Sequence, residues 1–153
     1  MRKFKWMAGL CVALSLFAAT PVGASSNDTV KLATQYACMP SLRFKPTQIT
    51  LACADDNAYL GSIHWSTWTS TQARGVGTYM LNSCNPNCAS SRITPRFAVD
   101  LTASRPRVVR GIHYFSLLRA AQSNGHKVLV LHWIGSPTSR YSSWESPSGR
   151  TLF

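Results

Sequence analysis

Histidine is the residue type in this chain best suited to acid–base chemistry, because its side chain titrates near neutral pH. The four histidines are His64, His113, His126 and His132. Two of them moving protons, with an arginine or lysine stabilising the developing charge on phosphorus, would make a small, basic, secreted ribonuclease. Such an enzyme needs two histidines that approach one another across a sheet, and the only glutamate, Glu145, lies near the C-terminal end. We therefore predict no catalytic residue and keep the ribonuclease as the alternative function.

The cysteines pose a choice between a metal site, a redox centre and disulfide bonds. Cys11 lies in an N-terminal apolar run, which leaves Cys38, Cys53, Cys84 and Cys88 for the folded chain. Zinc sites and redox dithiols typically use CxxC pairs, and no two of these cysteines have that spacing. An even number of cysteines in a small exported chain is typical of a disulfide framework, and turn-forming residues separate the last two. We predict Cys38–Cys53 and Cys84–Cys88 disulfides, no metal and no cofactor.

Aromatic and basic side chains give a binding signal rather than a catalytic one. Trp68 follows Trp65 by three residues, so the alternation of a strand would put the two rings on opposite faces. With Trp65 inward, Trp68 would offer an exposed flat ring to a sugar, a base or a partner protein. Arg74 follows soon after, and the segment RPRVVR is a basic cluster. The candidate binding residues are Trp68, Arg74, Tyr79, Arg105, Arg107 and Arg110. The favoured alternative is that at least two of the aromatic residues Trp65, Trp68, Tyr79 and Trp133 pack in the core.

The composition is strongly basic, with 16 Lys and Arg against 5 Asp and Glu and a formal net charge of +11. Such a surplus favours solubility and attraction to anionic polymers or lipid surfaces. Nucleic-acid binding is a more specific interpretation of the same charge. Because the basic residues are scattered along the chain, we favour general attraction to anionic polymers or surfaces. We predict a non-enzymatic β domain that binds an anionic or carbohydrate component of the cell envelope, or a protein partner.

Residues 1–24 have the three parts of a secretory signal peptide. A cationic stretch, Arg2–Lys5, precedes an apolar run from Met7 to Ala19, and small residues at Val22–Ala24 suit a cleavage site. The apolar run falls short of the roughly 20 residues that a membrane-spanning helix needs. We therefore predict cleavage after Ala24 and a protein that is secreted or associated with the cell wall, with no transmembrane segment in the mature chain.

Alternating apolar and polar residues predict that β-strands position the candidate side chains. The segments with this period are QITLACA, YLGSIHWSTW, GVGTYMLNSC, RFAVDLTA, IHYFSLL and VLVLHWIG. A helix remains open as an alternative only at the end of YFSLLRAAQ. Turns are predicted at TSTQARG, SRPRVVRG and QSNGHK, the last of which contains Asn124-Gly125, a strong hairpin signal. The prediction is an all-β fold, a small antiparallel sandwich or barrel stapled by two disulfides.

The sequence indicates one folded domain between two segments of different composition. Residues 25–36 are polar and predicted to be a flexible N-terminal segment. Residues 37–134 contain the predicted strands and form the β domain. Residues 135–153 are rich in serine, proline and glycine, which predicts a disordered tail.

Half of the predicted mature chain resembles a family of small secreted actinomycete proteins without an assigned function. The resemblance rests on ITLACAD, YL, HWSTW, ARGVGTY, NSCNPNCA and YFSLL. In that family a Cys-Ala-Asp motif precedes a strand with a Trp-x-x-Trp pair, and a GTY strand leads into the turn Asn-x-Cys-x-Pro-x-Cys-Ala. This chain departs from the pattern at Asp56, where the family often has glycine. The resemblance implies export and an all-β fold held by disulfides, and it implies no activity.

Overall fold

The structure, a computed structural model, describes residues 29–36, 39–52 and 57–147. In these residues the chain forms β-strands and no helix, which confirms the all-β prediction. The strands are β1 (Lys31–Tyr36), β2 (Met39–Arg43), β3 (Ile49–Ala52), β4 (Ala58–Trp68), β5 (Ala73–Asn82), β6 (Ile93–Val109), β7 (Ile112–Gln122), β8 (Val128–Ile134) and β9 (Ser143–Glu145). The predicted signal peptide and both members of the predicted Cys38–Cys53 disulfide lie outside the described residues.

The strands belong to one open sheet in the order β2-β1-β7-β6-β5-β4-β3. Strand β8 pairs with the part of β7 that β1 does not reach, and β9 pairs with β8. The pairs are antiparallel except β1 with β7, which is parallel. Strands β1 and β3 are several strands apart in this order and nevertheless lie in contact. The sheet therefore curls on itself around one core.

Two irregularities in β4 decide which of its side chains reach that core. The pairing of β4 with β5 shifts by one residue after Gly61 and again after Trp65. Each shift inserts one extra residue into β4, and such a bulge reverses the alternation that follows it. The side chains that pack on the core are therefore Leu60, then Ile63 and Trp65, and then Trp68. Both tryptophans lie on the same side of the sheet.

Strand β6 is longer than its sequence pattern indicates. The segment SRPRVVRG was predicted as a turn, but its residues 104–109 continue the strand and pair with β7. The turn itself is Arg110-Gly111, with φ of 50° and 75°, the left-handed backbone that a tight two-residue hairpin requires. Strand β5 begins at Ala73, opposite Ala103, so among the described residues no strand pairs with the other edge of 104–109. We call residues 104–113 the basic arm.

Both segments that the sequence predicts to be flexible or disordered contribute strands. Residues 31–36 form β1 and residues 143–145 form β9. The indole of Trp144 is buried, packs edge-on against Trp133 at 5.3 Å between ring centroids, and donates a hydrogen bond from Nε1 to the carbonyl oxygen of Ala33 at 3.1 Å. One buried tryptophan thereby ties the two segments to each other and to the core. Residues 148–153 lie outside the described part of the chain.

The Cys84–Cys88 disulfide is present, as predicted. The loop that it closes is hydrogen-bonded to the buried side-chain amide of Asn82, the last residue of β5. Asn82 Nδ2 donates to the carbonyl oxygen of Cys88 at 3.0 Å, and Asn82 Oδ1 accepts from the backbone N–H of Cys84 at 2.9 Å and from the hydroxyl of Ser91. A single amide thus bonds to both ends of the disulfide loop.

Replacing Asn82 with alanine is expected to cost about 2 kcal/mol of folding free energy, because the hydrogen bonds of the buried amide to Cys84, Cys88 and Ser91 are all lost. Urea unfolding of the oxidised protein measures this. Asn85→Ala is the matched control, since Asn85 is an exposed asparagine of the same loop and should change stability by less than about 0.5 kcal/mol. Equal stability of the two variants would contradict the anchoring role of Asn82.

Candidate functional site

The arginines of the basic arm are the predicted binding residues that the structure presents to solvent as a group. Arg105, Arg107 and Arg110 are all exposed. Arg107 lies opposite Tyr114 of β7, and Lys31 of β1 lies on the other side of the same tyrosine. Neighbours in register share one face of a sheet. Lys31 therefore adds a cation to the face that carries Arg107.

The arm carries cations without acids. The acidic residues in the described part of the chain are Asp100 and Glu145, and both lie outside residues 104–113. Asp100 pairs with Val76 and Ala121 in the middle of the sheet, and Glu145 pairs with His132 at the edge formed by β9. No carboxylate within the arm itself therefore offsets its positive charge.

The base of the arm is fixed by a hydrogen bond. Ser116 Oγ donates to the carbonyl oxygen of Arg105 at 2.9 Å, and Arg105 has a left-handed φ of 54°. Toward the tip, Val108 is 57% exposed. The arm is therefore an extended two-stranded projection with charged and apolar side chains on an anchored base.

Trp68 does not lie where the sequence pattern places it. It was predicted to face away from Trp65, but the second bulge of β4 turns it to the same side. Its ring is half-buried and meets the rings of Phe44, Trp65 and Phe115 edge-on, at centroid distances of 5.2, 4.9 and 5.6 Å. Its Nε1 donates to the carbonyl oxygen of Val30 at 2.8 Å. Trp68 is a packed aromatic rather than a flat exposed platform.

Arg74 is not the neighbour of Trp68 that the sequence suggests. Trp68 is in register with Ala73, which is buried, so the next residue of β5, Arg74, points to the opposite face. There Arg74 is exposed, lies in register with Thr102 and donates from Nε to Gln72 Oε1 at 2.8 Å. The predicted Trp68–Arg74 pair is therefore divided between the two faces of the sheet.

Tyr79 is a core residue, although the sequence placed it among the candidate binding residues. It is 1% exposed and stacks on Phe97 at 5.2 Å between ring centroids. Burial raises the pKa of the Tyr79 hydroxyl above its ordinary value, and the charge of Arg96 acts in the opposite direction. A ligand at the surface therefore cannot contact the ring of Tyr79 without opening the core.

The structure adds Phe44, which the sequence analysis missed. Phe44 follows β2 and is 52% exposed, and the next residue, Lys45, has a φ of 48° that turns the chain sharply. The ammonium of Lys45 lies over the Phe44 ring at 5.5 Å from its centroid. The sequence signal was an aromatic residue between two cations and before a proline, in RFKP. No strand period marks this stretch, so alternation alone does not point to Phe44.

A depression lies on each side of Phe44, and we call the two together the Phe44 cleft. One side has a volume of about 270 Å³ and is lined by Thr29, Val30, Phe44, Trp68, Thr69 and Ser70. The other has a volume of about 400 Å³ and includes Arg43, Lys45 and Gln48 in its lining. Ligand sites commonly measure roughly 300–1,000 Å³, so the first depression is below this range and the second is near its lower end. The cleft thus has room for one small ring rather than for a large cofactor.

The histidines are not brought together. They lie on β4, in the basic arm, in the β7–β8 turn and on β8, as His64, His113, His126 and His132 respectively. In the strand pairings those on strands lie opposite other residue types: His64 is opposite Val76 and His113 is opposite Val108. No group of three or more potential metal ligands forms among the described residues. Among the three histidines that lie on strands, none is therefore in register with another.

Comparison with protein-family models, with curated proteins and with solved structures gave no match to this chain. The resemblance to the actinomycete family therefore stays a prediction. Within the part of the chain that the structure describes, no helix has the length and apolar character needed to cross a bilayer.

Proposed function

We propose that the protein is an exported, non-enzymatic β domain that binds an anionic polymer of the cell envelope through its basic arm. The observation that carries this proposal is the position of Arg105, Arg107 and Arg110, all exposed, on a hairpin that contains no acid. Lys31 adds a fourth cation beside them. Arg74 and Arg119 also share a face, on either side of Thr102, but Asp100 lies two residues before Thr102 on the same strand and offsets part of their charge.

An arginine-bearing hairpin suits a polymer with repeated negative charges. Guanidinium groups bind phosphate, sulfate or carboxylate with two parallel hydrogen bonds and are weakly hydrated, which lowers the cost of contact. Each exposed ion pair contributes only about 0.2–1 kcal/mol, so several must act together on one ligand. A polymer supplies that repetition. Binding of this kind weakens as salt concentration rises, because exposed charges are screened.

The remaining features are consistent with export and binding rather than with catalysis. A disulfide is stable in the oxidising surroundings outside the cytoplasm, and the first residues predict secretion. The alternative, a histidine ribonuclease, predicts cleavage of RNA by the pure protein that His64→Ala abolishes. That result would replace binding with catalysis as the function.

Neutralising the arm is expected to weaken binding to a polyanion about 10- to 100-fold at low salt, as the sum of three exposed contacts. The variant is Arg105→Gln, Arg107→Gln and Arg110→Gln in one chain, and the ligand is long-chain polyphosphate titrated against pure protein. The salt dependence of the affinity should become shallower in the same variant, since fewer ion pairs are screened.

The matched control removes the same charge elsewhere. Arg74, Arg119 and Arg140 are exposed and lie outside the arm, and glutamine at all three should reduce the affinity less than about threefold. If the two triple variants lose affinity equally, net charge rather than the arm governs binding, and the proposal is wrong. A pull-down on cell-wall fractions at low and high salt extends the measurement to natural polymers.

A further inference from the structure

We infer that the Phe44 cleft is a sugar-binding subsite beside the basic arm, so that the ligand is an anionic polysaccharide rather than a polyanion without sugar rings. The inference rests on the proposed function for its charge contacts and adds the chemical class of the ligand.

The cleft and the arm are neighbours across the start of β1. Val30 lines the cleft, and the next residue, Lys31, is exposed and lies in register with Tyr114, whose partner on the other side is Arg107 of the arm. Lys31 therefore lies between the cleft and Arg107, within reach of one extended polymer.

The walls of the cleft are held in place by the two indoles of β4. Trp65 Nε1 donates to the carbonyl oxygen of Pro46 at 2.8 Å, which fixes the turn that presents Phe44. Trp68 Nε1 donates to the carbonyl oxygen of Val30, also at 2.8 Å, which fixes the opposite wall. An indole has a single donor, and both are used for this purpose. A site fixed in this way loses little conformational entropy when a ligand binds.

The lining combines the features that a sugar ring requires. Phe44, 52% exposed, offers apolar ring surface, and two exposed hydroxyl-bearing residues, Thr29 and Ser70, lie on the same side of the cleft. On the other side Arg43 and Lys45 supply positive charge for an acidic substituent. Few polar groups beside an aromatic surface are typical of sites for small polar rings.

A nucleic-acid base is a weaker fit to the same cleft. Bases bind single-strand sites by stacking flat on an open aromatic face. The ammonium of Lys45 lies over the Phe44 ring at 5.5 Å from its centroid, and Trp68 meets Phe44 edge-on. Both contacts reduce the ring area that is open to a stacked base.

Phe44→Ala tests the subsite by comparing polyanions that differ in their rings. The ligands are dextran sulfate, which has sugar rings, long-chain polyphosphate, which has none, and single-stranded poly-dT, which has bases. We expect about a five- to tenfold loss of affinity for dextran sulfate and less than about a twofold change for polyphosphate and poly-dT. Tyr141→Ala is the control, because Tyr141 is an aromatic residue that is 87% exposed and absent from the cleft lining.

Results that would contradict the sugar subsite differ from results that would contradict the proposed function. An equal effect of Phe44→Ala on dextran sulfate and polyphosphate, or no effect on either, overturns the sugar subsite and leaves the arm in place. A loss confined to poly-dT overturns it in favour of base stacking. If the wild-type protein binds neither polyanion, or if neutralising the arm leaves polyphosphate binding unchanged, the proposed function itself fails. Unfolding curves of each variant show whether the fold is intact.

Discussion

Trp68→Ala is expected to lower the free energy of unfolding by about 3 kcal/mol, which is large for a residue that the sequence pattern places on the surface. The ring packs against Phe44, Trp65 and Phe115, and its removal leaves a gap among them. The same substitution deletes the hydrogen bond to Val30, whose carbonyl oxygen then has one partner fewer. Urea unfolding followed by circular dichroism measures the loss.

Trp68→Phe separates the two contributions. Phenylalanine keeps most of the ring packing and deletes the indole N–H, so we expect a loss of about 1 kcal/mol, the usual net value of one hydrogen bond. If Trp68→Ala were instead within about 0.5 kcal/mol of the wild-type protein, as substitutions on an exposed surface usually are, the packed position of Trp68 would be wrong.

Gly75→Ala is expected to cost about 2 to 3 kcal/mol, because a methyl group has no space at this position. A Cβ atom on Gly75 would lie 2.6 Å from the carbonyl oxygen of His64 and 3.1 Å from the Cα and Cε3 atoms of Trp65. Two of these atoms belong to the backbone of the paired strand, so no side-chain rotation relieves the clash. The midpoint of urea unfolding should fall with little change in its slope, since the unfolded chain is almost unaltered.

Two variants serve as controls for Gly75. Val76→Ala changes the next residue, which is 53% exposed, and should have an effect below about 0.5 kcal/mol. A Cβ atom on Gly111 would meet no atom within 4 Å, but this residue has a φ of 75°. Gly111→Ala should therefore cost only the roughly 1–2 kcal/mol of placing a residue with a Cβ atom in the left-handed region. A Gly75→Ala protein as stable as Val76→Ala would contradict the close approach of β4 and β5.

The sequence was sufficient to predict the strands whose side chains alternate regularly. Strand β5 is the clearest case, since its period of two puts Tyr79 and Val76 on opposite faces, and in the structure one is buried and the other exposed. The turn at Asn124-Gly125 was also predictable, and Gly125 has the positive φ, 78°, that such turns use. Local pattern and local turn chemistry therefore account for a large part of the sheet.

Features that depend on distant partners were not predictable. The alternation of β4 is read correctly only if its bulges are known, and the bulges follow from its pairing with β5, not from local composition. Strand β1 has few large apolar residues, and its buried Gln35 donates to the carbonyl oxygen of Ser142 at 2.6 Å, 107 residues away. The C-terminal segment is rich in serine, and no local pattern indicates that its Trp144 is buried against Trp133.

The candidate site likewise has parts that the sequence predicts and parts that it does not. The basic cluster of the arm was visible in the sequence, because three arginines lie within a few residues of each other and charged side chains are rarely buried. The roles of Trp68 and Tyr79 were not visible, because an aromatic residue on a strand serves the core or the surface according to the face on which it lies. Phe44 owes its exposure to the turn at Lys45 and the anchoring of Pro46 by Trp65.

The unpaired edge of β6 at residues 104–109 has a consequence for how copies of the protein behave in solution. An open strand edge is a template for edge-to-edge aggregation, and natural sheets protect such edges with proline and with repelling charge. Pro106 lacks the N–H that a second chain would need, and Arg105 and Arg107 repel the same edge of another molecule. The arginines that we propose attract an acidic polymer thus also keep the molecules apart. Ligand affinity and colloidal stability are therefore coupled in this fold, and neither can be adjusted at the arm without altering the other.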